Sequence, residues 1–193
     1  MKALVVYGTS EGMTARIADR MAQTARGLGY DVDVLDAARV PRSLSLEPYD
    51  AILVGGSVHM RGYQRSVRRF IVEQRHLLSI RRSAFFSVCL AIHSTNEGDR
   101  QEALRLADAF PAGLGWRPAA VHVFAGALMY TKYGFITRAI MRAIARREGG
   151  DLRTDRDHVY TDWQDVERFV RDFLAPPPAW RSTPAPQPAS PSP

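Results

Sequence analysis

The sequence predicts a doubly wound α/β domain built on a parallel sheet. Short apolar runs with little polar alternation recur at Ala3–Tyr7, Ala51–Val54, Ser83–Leu90 and Ala120–Gly126. Strands buried on both faces require such runs. Stretches of helical periodicity separate them, and this alternation places helices on both faces of one sheet. In such sheets ligands bind beyond the carboxyl ends of the strands. Three segments fall there: Thr9–Thr14, Gly55–Tyr63 and Leu90–Asp99.

In chain order, Ala3–Tyr7 reads as a buried strand. Thr14–Leu28 carries Ile17, Ala18, Met21, Ala22, Ala25 and Leu28 on one face and stops at Gly27 and Gly29, so it reads as a helix. Asp31–Leu35 alternates like an edge strand. Ala51–Val54 is buried and runs into Gly55-Gly56-Ser57. Gln64–Leu78 sets Val67, Phe70, Ile71 and Leu77 at helical spacing. Ser83–Leu90 is a further buried strand. Asp99–Phe110 is a helix expected to turn Leu104, Ala107 and Phe110 inward. Ala120–Gly126 is the last strand expected. Thr161-Asp162-Trp163-Gln164 reads as a capping box before a helix with Trp163, Val166, Phe169, Val170 and Phe173 inward.

The segment Tyr7–Thr14, Y-G-T-S-E-G-M-T, carries the clearest chemistry. Gly12 permits a tight turn, and Thr9, Ser10 and Thr14 bring hydroxyls. The first N–H groups of the following helix lack intrahelical partners, and the helix dipole favours an anion there. The segment is neither a Walker loop nor G-x-G-x-x-G. No Lys or Arg lies within it, so neutral donors would hold the ligand, which suits a monophosphate. The plainer alternative is an ordinary strand–helix turn with a threonine cap.

At 193 residues the chain is expected to form one domain and a tail. Met1 leads straight into a strand and no run reaches transmembrane length, so a protein that is cytoplasmic, or bound to a membrane from the cytoplasmic side, is expected. The lone Cys89 excludes an internal disulfide framework and a cysteine metal cluster, and no metal site is expected. A net charge of +6 and pI near 9.9, almost all from Arg, call for an anionic partner. Nucleic acid is not expected, because no recognised motif appears and the aromatics do not interleave with the arginines. Within Ala127–Tyr160, the stretch Phe135–Arg147 forms one stripe of Ile136, Ile140 and Ile144 and another of Arg138, Arg142 and Arg146. Either it packs its apolar stripe on the body or it lies on an anionic membrane. Residues 175–193, dense in Pro, Ser and Ala, read as a disordered tail.

The order strand, T-S-E-G-M-T, helix, then G-G-S-V-H at a later strand end resembles a flavodoxin-like domain that binds FMN. Ser83–Val88, Trp116-Arg117-Pro118, Ala125-Gly126-Ala127-Leu128, Gly149-Gly150 and Val159-Tyr160-Thr161-Asp162-Trp163 are similar to the menaquinone-dependent protoporphyrinogen oxidases, over about residues 1–174. That family carries an extended insert at the position of 127–160. The resemblance implies FMN-dependent oxidation of protoporphyrinogen IX, with electrons passed to menaquinone or another membrane quinone, in haem biosynthesis. It implies that Thr9, Ser10, Glu11, Gly12, Met13 and Thr14 hold the phosphate. It further implies that Ser57, Val58 and His59, with Leu90, Ala91, Ile92 and His93, border the isoalloxazine. His59 and Met60 stand where the family pattern often has Arg and Tyr, so Tyr63 is the candidate stacking aromatic. His59 or His93 could stabilise an anionic reduced flavin or shuttle a proton; the plainer reading makes both exposed loop residues. Specific catalytic residues are not indicated, and a homo-oligomer is possible. The competing classes are a flavodoxin-type electron carrier, which the basic pI opposes because such carriers are commonly acidic, and a flavodoxin-fold NAD(P)H:quinone reductase.

Overall fold

A computed structural model describes residues 1–59, 62–128 and 158–175. Its frame is β1 (Lys2–Gly8), α1 (Met13–Gly27), β2 (Asp31–Asp36), β3 (Ala51–Ser57), α2 (Arg65–Ile80) and β4 (Arg82–Val88). There follow a 3₁₀ turn (Leu90–His93), α3 (Glu97–Gly113), β5 (Ala120–Phe124), the short strands β6 (Ala127–Leu128) and β7 (His158–Val159), and α4 (Trp163–Leu174). Strands β1 to β5 form a parallel sheet in the order β2-β1-β3-β4-β5. The expected doubly wound parallel α/β fold is present, with Asp31–Asp36 at one edge.

Alternation along β1 sorts its side chains between two cores. Ala3 and Val5 enter a cluster with Ile17, Met21, Phe169 and Val170 of α1 and α4. Leu4 and Val6 enter the opposite cluster with Val67, Ile71, Phe110 and Trp116. Trp116, wholly buried, satisfies its indole N–H by donating to Ser83 Oγ at 3.0 Å, and Ser83 Oγ donates onward to the Leu78 carbonyl at 2.6 Å. Both polar side chains are therefore buried at little net penalty.

The structure corrects several local expectations. Leu104 faces solvent at 41% exposure, while Ala103, Ala107, Phe110 and Pro111 form the inner face of α3. In α2 the fully buried leucine is Leu78 rather than Leu77. Helix α3 begins earlier than expected, because Asn96 caps it by accepting from the Gly98 N–H. Thr161 does not cap α4. Its hydroxyl donates to the Ala125 carbonyl at 2.6 Å, and Asp162 is the cap, accepting from the Gln164 and Asp165 N–H groups. The run expected as one strand to Gly126 stops at Phe124, and Ala127 then pairs antiparallel with Val159. The expected helix Phe135–Arg147 and the tail beyond Ala175 lie outside the described residues. Among the described residues, no helix is long and apolar enough to cross a membrane.

Candidate functional site

Gly8 ends β1 where the start of α2 crosses it. A Cβ there would meet Val67 Cγ2 at 2.4 Å, so only glycine permits the approach. The loop then folds on itself: the Gly12 N–H donates to Thr9 Oγ1 at 2.8 Å. Gly12 sits at φ 97°, in the left-handed region, immediately before α1. Gly12 offers no capping side chain and no acidic residue occupies the first turn, where the leading N–H groups have no intrahelical partner. Thr14, one residue into the helix, is fully buried, and its hydroxyl has no hydrogen-bond partner among the described residues. An orphaned buried hydroxyl costs about 1–3 kcal/mol and calls for an explanation. An anion at this helix terminus would supply one.

Gln64, just ahead of α2, joins this loop to the end of β3. Its Nε2 donates to Ser10 Oγ at 3.0 Å and to Ser57 Oγ at 2.6 Å, while its Oε1 accepts from the Ser57 N–H at 3.2 Å. Nothing in the sequence marked this residue; its role follows from where α2 starts. Next along the chain, the Val58 N–H donates to the Val88 carbonyl at 2.9 Å, which closes β3 onto β4. His59 and Gly62 exchange both backbone hydrogen bonds. Beyond β4, Ala91 and Ile92 of the 3₁₀ turn pack with Val58 against Cys89, Ala103 and Val123. Cys89 lies in this small core, where burial pushes its thiol pKa up. It is a packing residue there, as its apolar surroundings in the sequence suggested.

Three loops thus converge at the carboxyl edge of the sheet: Thr9–Thr14, Ser57–His59 and Leu90–His93. His59 and His93 are both exposed. Tyr63 does not face outward with them. Its ring packs 4.2 Å from Phe110 and 5.4 Å from Phe85 (centroid to centroid), and its hydroxyl donates to Ser87 Oγ at 2.8 Å. Burial raises its phenol pKa well above the usual value. As placed, it is half-buried and packs against the core cluster of Val67, Phe85 and Phe110. Among the described residues, an aromatic that lies beside the Leu90–His93 turn is Tyr160, whose ring is 4.7 Å from that of His93. Two hydrogen bonds hold the segment to the end of β5: the Tyr160 N–H donates to the Gly126 carbonyl at 3.1 Å, and Thr161 Oγ1 donates to the Ala125 carbonyl. The motif V-Y-T-D-W was visible in the sequence, but its proximity to the Leu90–His93 turn was not.

Residues 4–155 match the flavodoxin domain family. The chain belongs to that family. It is 31% identical over 173 residues to the protoporphyrinogen IX dehydrogenase (quinone) of Escherichia coli strain K12, covering 90% of this chain and 94% of the relative. The corresponding dehydrogenase of Leishmania major is 33% identical over 177 residues, covering 91% and 76%. Among solved structures, flavodoxin 1 from Bacillus cereus superposes with a TM-score of 0.54 at 15% identity, over 90% of this chain and 97% of that one. A flavodoxin from the domain Archaea gives 0.51 at 18% identity, over 90% and 96%. These two structures support the fold. The expected cofactor, FMN, agrees with membership of the flavodoxin domain family.

Proposed function

We propose that the chain is an FMN-dependent oxidoreductase that converts protoporphyrinogen IX to protoporphyrin IX and passes the electrons to a membrane quinone. The structural observation that most supports a bound cofactor is the Thr14 hydroxyl, buried and without a partner among the described residues at the start of a helix behind a glycine-turned loop. Relatives named protoporphyrinogen IX dehydrogenase (quinone), at 31% and 33% identity over most of the chain, supply the substrate class. In this reading residues 1–174 form one FMN-binding domain with an insert at about 127–160, followed by the tail.

Bound FMN would supply the redox chemistry, taking up electrons from the tetrapyrrole and releasing them to the quinone. The residues of this chain supply position and surroundings. Thr9, Ser10, Glu11, Gly12, Met13 and Thr14 provide hydroxyls and first-turn amides to the phosphate. Gln64 fixes Ser10 relative to Ser57, which sets the phosphate loop against the loop that would border the ring. Ser57, Val58 and His59 form one side of that border, and Leu90, Ala91, Ile92 and His93 the other. Tyr160 beside His93 extends the second side. Peripheral membrane contact through Phe135–Arg147, from the cytoplasmic side, belongs to the same proposal.

The test starts with the purified protein. Heat-released cofactor should run as FMN on chromatography; FAD, or no flavin even after reconstitution, would refute the cofactor. Anaerobic protoporphyrinogen should bleach the flavin absorbance, and a menaquinone analogue should restore it. Bleaching by NAD(P)H and not by protoporphyrinogen would favour a quinone reductase instead.

A further inference from the structure

Helix α2 differs from α3 and α4 in what it does with its charges. In α3, Arg100 pairs with Glu97 and Arg105 with Glu102; in α4, Arg168 pairs with Asp165 and Arg171 with Glu167; and Arg20 of α1 reaches Glu167. Helix α2 carries Arg65, Arg68, Arg69 and Arg75 against the single acid Glu73. Arg68 lies over the Phe110 ring at 5.5 Å. Arg65, Arg69 and Arg75 make no ion pair among the described residues, and all are exposed. Arg65 and Arg68 also sit in the first turn, where the helix dipole disfavours cations, and no acid offsets them there.

The outer face is also apolar in places. Arg65, Arg69, Val72, His76 and Ile80 follow one another at intervals of three and four residues, so they share one stripe. Val67, Phe70, Ile71 and Leu78 form the opposite, buried side. Val72 is 41% exposed and Ile80 65%. Two arginines and two exposed aliphatics thus share one helix face, as in helices that rest in the headgroup region of an anionic bilayer. An acidic protein or a free anion would account for the arginines but not for Val72 and Ile80. The helix also starts at the candidate site, since Gln64, immediately before Arg65, holds Ser10 and Ser57.

We propose that the outward face of α2 docks this protein on an anionic phospholipid surface, through Arg65 and Arg69, with Arg75 on the flank of that face, and through the exposed aliphatics Val72 and Ile80. The docked helix carries the carboxyl edge of the sheet to the bilayer at its N-terminal end. The proposal rests on the reading that the electron acceptor is a quinone dissolved in that bilayer. It uses residues other than Phe135–Arg147, which lies outside the described residues.

The experiment is co-sedimentation of the full chain with phosphatidylglycerol–phosphatidylethanolamine vesicles and, separately, with phosphatidylcholine vesicles. The parent should sediment with the anionic vesicles and stay in solution with the neutral ones. The triple variant Arg65→Gln, Arg69→Gln, Arg75→Gln should lose roughly a hundredfold in partitioning, because each arginine near such a surface contributes about a fivefold factor. Its circular dichroism and melting temperature should match the parent, which separates lost docking from lost folding. A second variant, Val72→Ser with Ile80→Ser, should weaken binding while leaving its salt dependence in place. A parent that ignores anionic vesicles overturns the proposal, as does a triple variant that binds them like the parent, or binding equal on phosphatidylcholine. Vesicle binding is read without any substrate. A protein that docks through α2 but fails to react with protoporphyrinogen or quinone would refute the proposed function and leave this surface standing.

Discussion

Thr14→Val should change the free protein and the cofactor complex in opposite directions. Valine nearly keeps the shape of threonine and replaces the hydroxyl by a methyl. In the structure that hydroxyl is fully buried and has no partner among the described residues. Removing it relieves a desolvation penalty of about 1–3 kcal/mol, less whatever the new methyl loses in fit, so the free protein should gain roughly 1 kcal/mol. For a chain of this size that is a rise of about 2–4 °C in melting temperature. In the complex the same hydroxyl would donate to a charged phosphate oxygen, a bond contributing about 1.5–3 kcal/mol. The FMN dissociation constant should therefore rise roughly 10- to 150-fold. Calorimetric melting of the flavin-free protein and fluorescence titration with FMN measure the two effects separately. If the variant melts lower, the hydroxyl had a partner in the free protein and the orphan argument fails. If it melts higher but binds FMN as the parent does, the phosphate lies elsewhere.

Gln64→Leu cuts the tie between Ser10 and Ser57 and should raise the FMN dissociation constant about tenfold, from roughly 1.5 kcal/mol of lost positioning; an unchanged titration would mean that the loops hold each other without it. Tyr49→Phe tests an acid-sensitive bond: the Tyr49 hydroxyl donates to Asp33 at 2.6 Å and, with Lys2, holds that carboxyl below its ordinary 3.8. Because the folded carboxyl is depressed, the bond stabilises above the ordinary carboxylate range and is lost as pH falls through the folded value. The variant should thus lose about 1 kcal/mol near neutrality, discounted for the partial exposure of Asp33, with the gap to the parent closing in acid by urea denaturation. Asp162→Ala should lower stability by about 1 kcal/mol through loss of the α4 cap; if Thr161→Ala unwinds the start of α4 and Asp162→Ala does not, the capping assignment is reversed.

Strand and helix order was legible because each element carries its own period, and the tight turn from β1 into α1 because a glycine follows the end of a buried strand there. Three kinds of feature were not legible. Leu104 fits the helical stripe of α3 as well as Ala103 does, and packing against Cys89 and Val123 decides that Ala103 is the buried one. Thr161 and Asp162 are both good capping residues; the Ala125 carbonyl, brought alongside by the sheet, claims Thr161. Tyr63 follows the candidate loop in sequence and so looked like part of it, yet Ser87 and Phe110, distant in sequence, draw it inward. In each case a long-range partner chooses between options that local sequence leaves equal.

The same distinction bears on the charge of the chain. A net +6 would be expected to serve a phosphate site, yet no cation lies between Tyr7 and Thr14. The candidate site offers neutral short-range donors, while Arg65, Arg69 and Arg75, without an ion pair among the described residues, stand exposed on α2. These two designs respond differently to salt. Hydroxyl and amide bonds to a buried phosphate are little screened, whereas exposed arginines facing a charged surface lose their attraction once the Debye length, near 10 Å at 0.1 M salt, shrinks below their spacing from it. Raising salt severalfold should therefore shift FMN affinity little and strip the protein from anionic vesicles. A steep salt dependence of FMN binding itself would mean that the arginines of α2 act on the phosphate after all, and that the separation of the two roles is wrong.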